Sequence, residues 1–431
     1  MRTRRPSCRN TLALAVAACT APVWLAWPQQ TQAATLQWLG GSGSWADFTH
    51  WSGGFLPTTG FDTLLGVAAA PTPSVTVRLD DFSYVAAGSS INRLTVNSTG
   101  ILGTFTLLQD RSDSDMVATL EVIGDTVSGN AYVHSAGRNV TGFLLLGQSA
   151  GGVGRYELSG SAQLQAGSVN VGQFGQGSFA QSGGTLDIAQ HLQVAAAAGG
   201  SGYALSGGTV NLASGGFVQI VGGGGHFDHS GGTLNFAGNS GLVIGPVSGA
   251  GGADAYTLTG TGVLQGAAFE LIGTNGSSGI ATFVQLAGVH TLAAGGVLTV
   301  GDSAGGIYRM SGGELQTSVL QLGAQGGANG VFALTGGVVT LAPGGSIDIG
   351  KASAANGTFS AFNGIGQAQL SAPNIRVGVA GSGNFSMGNG ASVSANTVVL
   401  ADAALSNGSF TISSGSLLLG SATTAGALND L

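Results

Sequence analysis

Apolar and polar residues alternate at period two along most of this chain, in short runs that glycine interrupts. The clearest run is an imperfect Gly-x-aromatic-x-apolar-Ser/Thr-Gly, as in Tyr203-Ala-Leu-Ser-Gly-Gly-Thr-Val and Phe332-Ala-Leu-Thr-Gly-Gly-Val-Val. It recurs twelve times, with its aromatic at Tyr132, Tyr156, Phe179, Tyr203, Phe227, Tyr256, Phe283, Tyr308, Phe332, Phe359, Phe385 and Phe410, at gaps of 23 to 29 residues. Five of the six tyrosines fall on this one position, so composition alone does not explain the repeat. A second run, apolar-x-apolar-Gly, follows in each unit: 144–147, 169–172, 298–301, 320–323, 347–350 and 375–378. Alternation of this kind predicts strands, and the Gly-Gly pairs would break a helix every few turns.

Two or three strands in a coil of about 25 residues predict an all-β fold, a parallel β-helix of about a dozen coils. Equivalent residues then stack about 4.8 Å apart. The repeat aromatic and the residue two positions later point inward, so the aromatics form an internal ladder. On the outward face Asn170, Gln193 and Gln219 are expected to form an amide ladder. Asp348 and Arg376 are expected to pair across one strand spacing, an exposed contact worth little.

Residues 35–130 differ. They hold Trp38, Trp45 and Trp51, and their repeats are poorly formed. A stacked solenoid needs an atypical end to cover its first coil, so this segment reads as an N-terminal cap and irregular first coils, with strands near 75–79, 94–96 and 120–123. The repetitive β-helix then runs over 131–420, and 421–431 forms a C-terminal tail.

The first 34 residues have another purpose. Arg2, Arg4, Arg5 and Arg9 precede an apolar run from Thr11 to Trp27 that ends at Thr31-Gln32-Ala33, the layout of a secretory signal cleaved after Ala33 or Ala34. Val16-Ala17-Ala18-Cys19 offers the alternative of lipid anchoring through Cys19. Both cysteines, Cys8 and Cys19, lie in this leader, so the exported chain has no disulfide framework. Beyond the leader, eight basic residues face 19 acids, and none is basic between 156 and 308. That excludes a nucleic-acid groove, which needs clustered Lys and Arg. No apolar segment long enough to span a membrane follows the leader.

Trp38-x-Gly-Gly-x-Gly-x-Trp45, then Trp51-Ser-Gly-Gly-x-x-Pro57 and Asp62, resemble the start of autotransporter-type passenger domains and related β-strand-repeat bacterial surface proteins. His50 stands where that pattern more often has Asn. The glycine-rich copies over 130–420 resemble the same group's repeats. The resemblance implies a passenger-like β-helix displayed at, or released from, a Gram-negative surface. Such proteins end in a membrane β-barrel closing on an aromatic, whereas this chain closes on Asn429-Asp430-Leu431, leaving the export route unread and truncation before a barrel open.

Candidate chemistry is sparse. His226-Phe227-Asp228-His229 is the best metal motif, but in a strand His226 and Asp228 face out and His229 in, so the three do not converge on an ion. Gly147-Gln148-Ser149-Ala150-Gly151 and Gly301-Asp302-Ser303-Ala304-Gly305 match a nucleophile elbow, which requires a strand-to-helix turn. Carbohydrate cleavage needs paired carboxylates, or acids with Arg or Lys on adjoining coils. Glu157 and Asp228 lie three coils apart, and Arg309 has Val284 and Ala333 beside it. Asp110, Asp113 and Asp115 read as a solvated turn, or at most a weak calcium contact. No catalytic, cofactor or metal residue is assigned. The expectation is a non-enzymatic exported stalk or adhesin whose partners are a host surface, a glycan or a second copy stacked end to end, with a polysaccharide-active β-helix as the alternative.

Overall fold

The computed structural model describes residues 33–66, 74–79, 90–98, 104–126, 129–195, 200–222, 224–245, 254–274, 279–364 and 366–420. The leader with Cys19, and the 421–431 tail, lie outside them. Every strand pairing is parallel, and the coils make a parallel β-solenoid of about fourteen turns. Among the described residues there is no α-helix, only a single 3-10 turn, Phe48–His50. No helix among them is long and apolar enough to cross a membrane.

Each coil contributes to three strand stacks. The first carries the aromatic and runs from Val75–Arg78 and Phe105–Gln109 through Asn130–His134 and Val153–Leu158 to Asn407–Ile412. The second follows the Gly-Gly turn, as in Thr233–Phe236 and Val263–Gln265. The third is the apolar-x-apolar-Gly strand, beginning at Thr35–Gln37 and Asp62–Leu65. The second stack is the strand that the sequence motifs do not separate, because it often runs unbroken into the third, as in Arg138–Leu146 and Glu314–Leu322.

The inward facing of the ring strand is as expected. Rings from Tyr156 to Phe410 stack at 4.5–5.1 Å with planes within 13°; Tyr132 meets Tyr156 at 4.8 Å but tilted by 44°. Offset stacks of this kind add about 0.5–1.5 kcal/mol each beyond burial. The turns explain the glycines. Gly208 sits at the bend after the ring segment at φ +81°, and a Cβ there would lie 2.5 Å from the carbonyl oxygens of Gly183 and Gly184 in the coil before. Gly301 does the same after the third strand, at φ +70° and 2.5 Å from the Gly330 nitrogen.

Residues 35–126 are more regular than their sequence suggests. Their strands lie in register with the same stacks from Thr35 onward, and Val77 and Leu107 take the ring position beneath Tyr132. A search keyed to aromatics passes over them. The tryptophans are buried together, Trp38 against Trp51 at 5.1 Å and Trp45 against Trp51 at 4.9 Å, both edge to face. Trp38 and Trp51 also form an antiparallel bridge.

Candidate functional site

The position two residues after each ring faces inward, yet it is not uniformly apolar. Starting one coil earlier, after Leu107, it reads Gln109, His134, Leu158, Gln181, Leu205, His229, Leu258, Gln285, Met310, Leu334, Ala361 and Met387, all buried, and ends at the exposed Ile412 after Phe410. The ring of the next coil follows it without exception: Tyr after Gln or His, Phe after an apolar residue. The hydroxyls explain this. Tyr132 donates to Gln109 Oε1 at 2.7 Å, Tyr203 to Gln181 at 2.5 Å and Tyr308 to Gln285 at 2.6 Å. His134 and His229 hold their Nε2 3.1 Å from the carbonyls of Gly137 and Gly232, so Nε2 carries the hydrogen. Their Nδ1 atoms therefore accept from Tyr156 and Tyr256, at 2.9 and 2.8 Å. Neutral histidine thus copies glutamine, whose Nε2 also donates to a turn carbonyl. Burial pushes both imidazoles down to about 4, which keeps them neutral.

His229 is therefore a core residue, and the motif from His226 to His229 does not converge: His226 and Asp228 are exposed and 4.0 Å apart, while both His229 nitrogens are engaged inside. Ser149 donates to Asp125 at 2.7 Å rather than meeting a histidine, and both Gly-x-Ser-x-Gly runs are followed by strands instead of a helix. Glu157 pairs with Arg155 at 2.8 Å; the ladder places Ala180 and Ala204 between it and Asp228. Asp110 and Asp113 are bidentate partners of Arg78 and Arg111.

Two acids missed by sequence reasoning lie in the core. Glu121 and Glu270 occupy an inward position of the third stack, in Leu120-Glu-Val-Ile-Gly124 and Phe269-Glu-Leu-Ile-Gly273, with leucines as register neighbours. A glutamate in the apolar slot of that motif was the available signal. Glu270 Oε1 lies 2.9 Å from His290 Nε2, and His290 Nδ1 lies 2.9 Å from the Tyr308 hydroxyl. Because Tyr308 gives its proton to Gln285, His290 Nδ1 must donate to it, and one proton is left between His290 and Glu270.

Outside, the amide ladder exists but on another face. Asn170, Gln193 and Gln219 are in register as expected, but Asn170 Oδ1 has no partner. The bonded row is on the second stack: Gln265 donates to Asn235 at 2.7 Å, Asn235 to Asn211 at 2.9 Å and Asn211 to Asp187 at 2.8 Å. Asp187 ends the row because a carboxylate only accepts. The third-stack face carries rings beside its amides, with His191 stacked on Phe217 at 5.5 Å and Phe269 covering Gly241.

Charge gathers at one corner, after the third strand of the later coils. Arg376 grips Asp348 with both arms, at 2.9 and 2.6 Å, and reaches Asp402 at 3.7 Å. The Asp348 side chain is only 4% exposed, so removing either partner strands a desolvated charge and costs more than at the surface contact expected. Lys351, the chain's one lysine, feels Asp348, Arg376 and Asp302 and is held low chiefly by burial. Burial raises Asp302, which Gln325 contacts at 3.1 Å. These groups are spread over five successive coils, with Asp302 two coils before Lys351 and Asp402 two coils after it, and the sequence did not reveal the row because its members are up to a hundred residues apart. No known family model, curated protein or solved structure matches the chain.

Proposed function

We propose that this is an exported, non-enzymatic surface solenoid, a passenger-like stalk that displays its long faces to a glycan or a host surface. One observation carries the reading: three of the six histidines and the ladder tyrosines are consumed in holding coils together. His134, His229, His290 and the ladder tyrosines are bonded inside the core. The faces left for contact offer amide rows and aromatic rings, groups that bind sugars without transforming them. Protease added to intact cells producing the full chain should remove it; full protection would count against surface display. Purified protein incubated with pectins, alginates and neutral glycans should release no reducing ends or unsaturated products, and turnover would overturn the non-enzymatic reading.

The corner around Lys351 favours a second reading, a polysaccharide-active enzyme, because it sets a partly buried amine on the coil of Asp348, next to the coil of Arg376. If turnover is found, Lys351→Ala should abolish it; unchanged turnover in that variant would remove this corner as the site.

A further inference from the structure

Among the buried oxygens that lack a partner, Glu121 Oε1 and Asn139 Oδ1 stand together. They belong to side chains already joined by one hydrogen bond, Asn139 Nδ2 donating to Glu121 Oε2 at 3.0 Å. An ionised carboxylate and an amide oxygen can only accept, so neither orphan can satisfy the other. A single proton on Glu121 Oε1 removes both defects. The neutral acid then donates to the amide oxygen while accepting from the amide nitrogen, closing a ring of two reciprocal hydrogen bonds. We propose that Glu121 is a protonated carboxylic acid closed on Asn139, and that its ionisation opens the joint between the strands Asp115–Ile123 and Arg138–Leu146.

The surroundings support this. Glu121 is fully buried, with Leu94 and Leu144 as its register neighbours along the stack. From the other strands it faces Asn139 and the hydroxyls of Tyr132 and Tyr156, with neutral His134 beyond them. Among the described residues no cation accompanies it, and burial raises its carboxyl to about 8. Glu270, at the same repeat position, has His290 to share its proton; Glu121 has only an amide. Losing the proton leaves a bare carboxylate against an amide oxygen, which the core cannot compensate. The joint lies where the ring ladder starts, at the tilted Tyr132–Tyr156 pair, so opening there would loosen the early coils from the stacked ones.

The test uses the whole exported chain. Infrared spectra of Glu270→Gln at pH 7 should show a protonated-carboxyl stretch that titrates away by pH 10 and is missing once Glu121→Gln is added. Hydrogen exchange over 115–123 and 138–146, corrected for intrinsic rate, should speed up by about tenfold per pH unit as pH rises toward about 8 and level off above it. In Glu121→Gln, whose amide can keep both hydrogen bonds, it should stay flat. Absence of the band from both wild type and Glu270→Gln at pH 7 overturns the proposal, even if Glu121→Gln does not fold. So does equal alkaline loosening of wild type and a folded Glu121→Gln.

Discussion

Converting one polar step of the core into an apolar one tests whether glutamine and tyrosine act as a unit. Gln181→Leu leaves the Tyr203 hydroxyl buried with no acceptor, and also withdraws an amide from the Gly184 and Thr209 carbonyls. Tyr203→Phe leaves Gln181 Oε1 without its donor. Each single change should cost about 1–3 kcal/mol, the penalty of a stranded buried polar group. The double variant reproduces a step this chain already uses, Leu158 under Phe179 and Leu205 under Phe227, with rings stacked at 5.0 and 4.7 Å. It should fall within about 1 kcal/mol of wild type, giving a coupling energy close to the sum of the two single losses. Denaturant unfolding of the four proteins, with local exchange over 176–212 as a second readout, measures the cycle. Additive losses, with the double variant worse than either single one, would refute the pairing rule.

The facing of the ring strand predicts that Tyr203→Asp costs several kcal/mol while Ala204→Asp, on the exposed side, costs little; equal melting losses would contradict it. Buried histidines and Glu121 together shape stability against pH. His134 and His229 titrate near 6.5 unfolded and about 4 folded, so their contribution is complete above pH 6.5 and lost toward pH 4. Glu121 titrates near 4.5 unfolded and about 8 folded, so its contribution is complete below pH 4.5 and lost by pH 8. The unfolded chain therefore binds one net proton more between pH 4.5 and 6.5 and one fewer between 6.5 and 8, which puts the maximum near pH 6.5 with limbs of about 1.4 kcal/mol per unit. A melting curve still rising at pH 8 would contradict that balance. At the charged corner, Asp348→Ala should cost more than about 1 kcal/mol because Arg376 loses a nearly buried partner, whereas Asp113→Ala, in an exposed pair, should be close to silent in the same melts.

The solenoid was legible because its period is written in one aromatic per coil, and the strand facing followed from alternation. The second strand was not, since the turn before it is marked but the bend after it often is not, and the second stack then runs on into the third. The inward polar residues were hidden for a different reason. Gln181, His229 and Glu121 each look like a lapse in an apolar pattern, and their meaning lies in a residue 18 to 27 positions away: Tyr203, Tyr256 and Asn139. The charged corner was hidden likewise, because Asp348, Arg376 and Asp402 become neighbours only once the register of successive coils is known.

That register is itself a problem for a chain of near-identical repeats, since a coil that loops out lets the next one take its place with little loss of apolar contact. The alternation of polar and apolar steps bears on this directly. Were any coil from that of Tyr156 to that of Tyr308 to be skipped, the next ring would meet the wrong residue: Phe179 over His134, Tyr203 over Leu158, Phe227 over Gln181, and so through Phe332 over Gln285. Every such mismatch strands a buried hydroxyl, imidazole or amide at about 1–3 kcal/mol, so a one-coil slip is penalised wherever it begins in that span. Beyond Tyr308 the steps are all apolar, Met310, Leu334, Ala361 and Met387 under phenylalanines, and a skipped coil there strands nothing. Buried polar pairs of modest net worth to stability can therefore decide which coil follows which, and the discrimination they supply is concentrated in the middle of the solenoid and absent from its last coils.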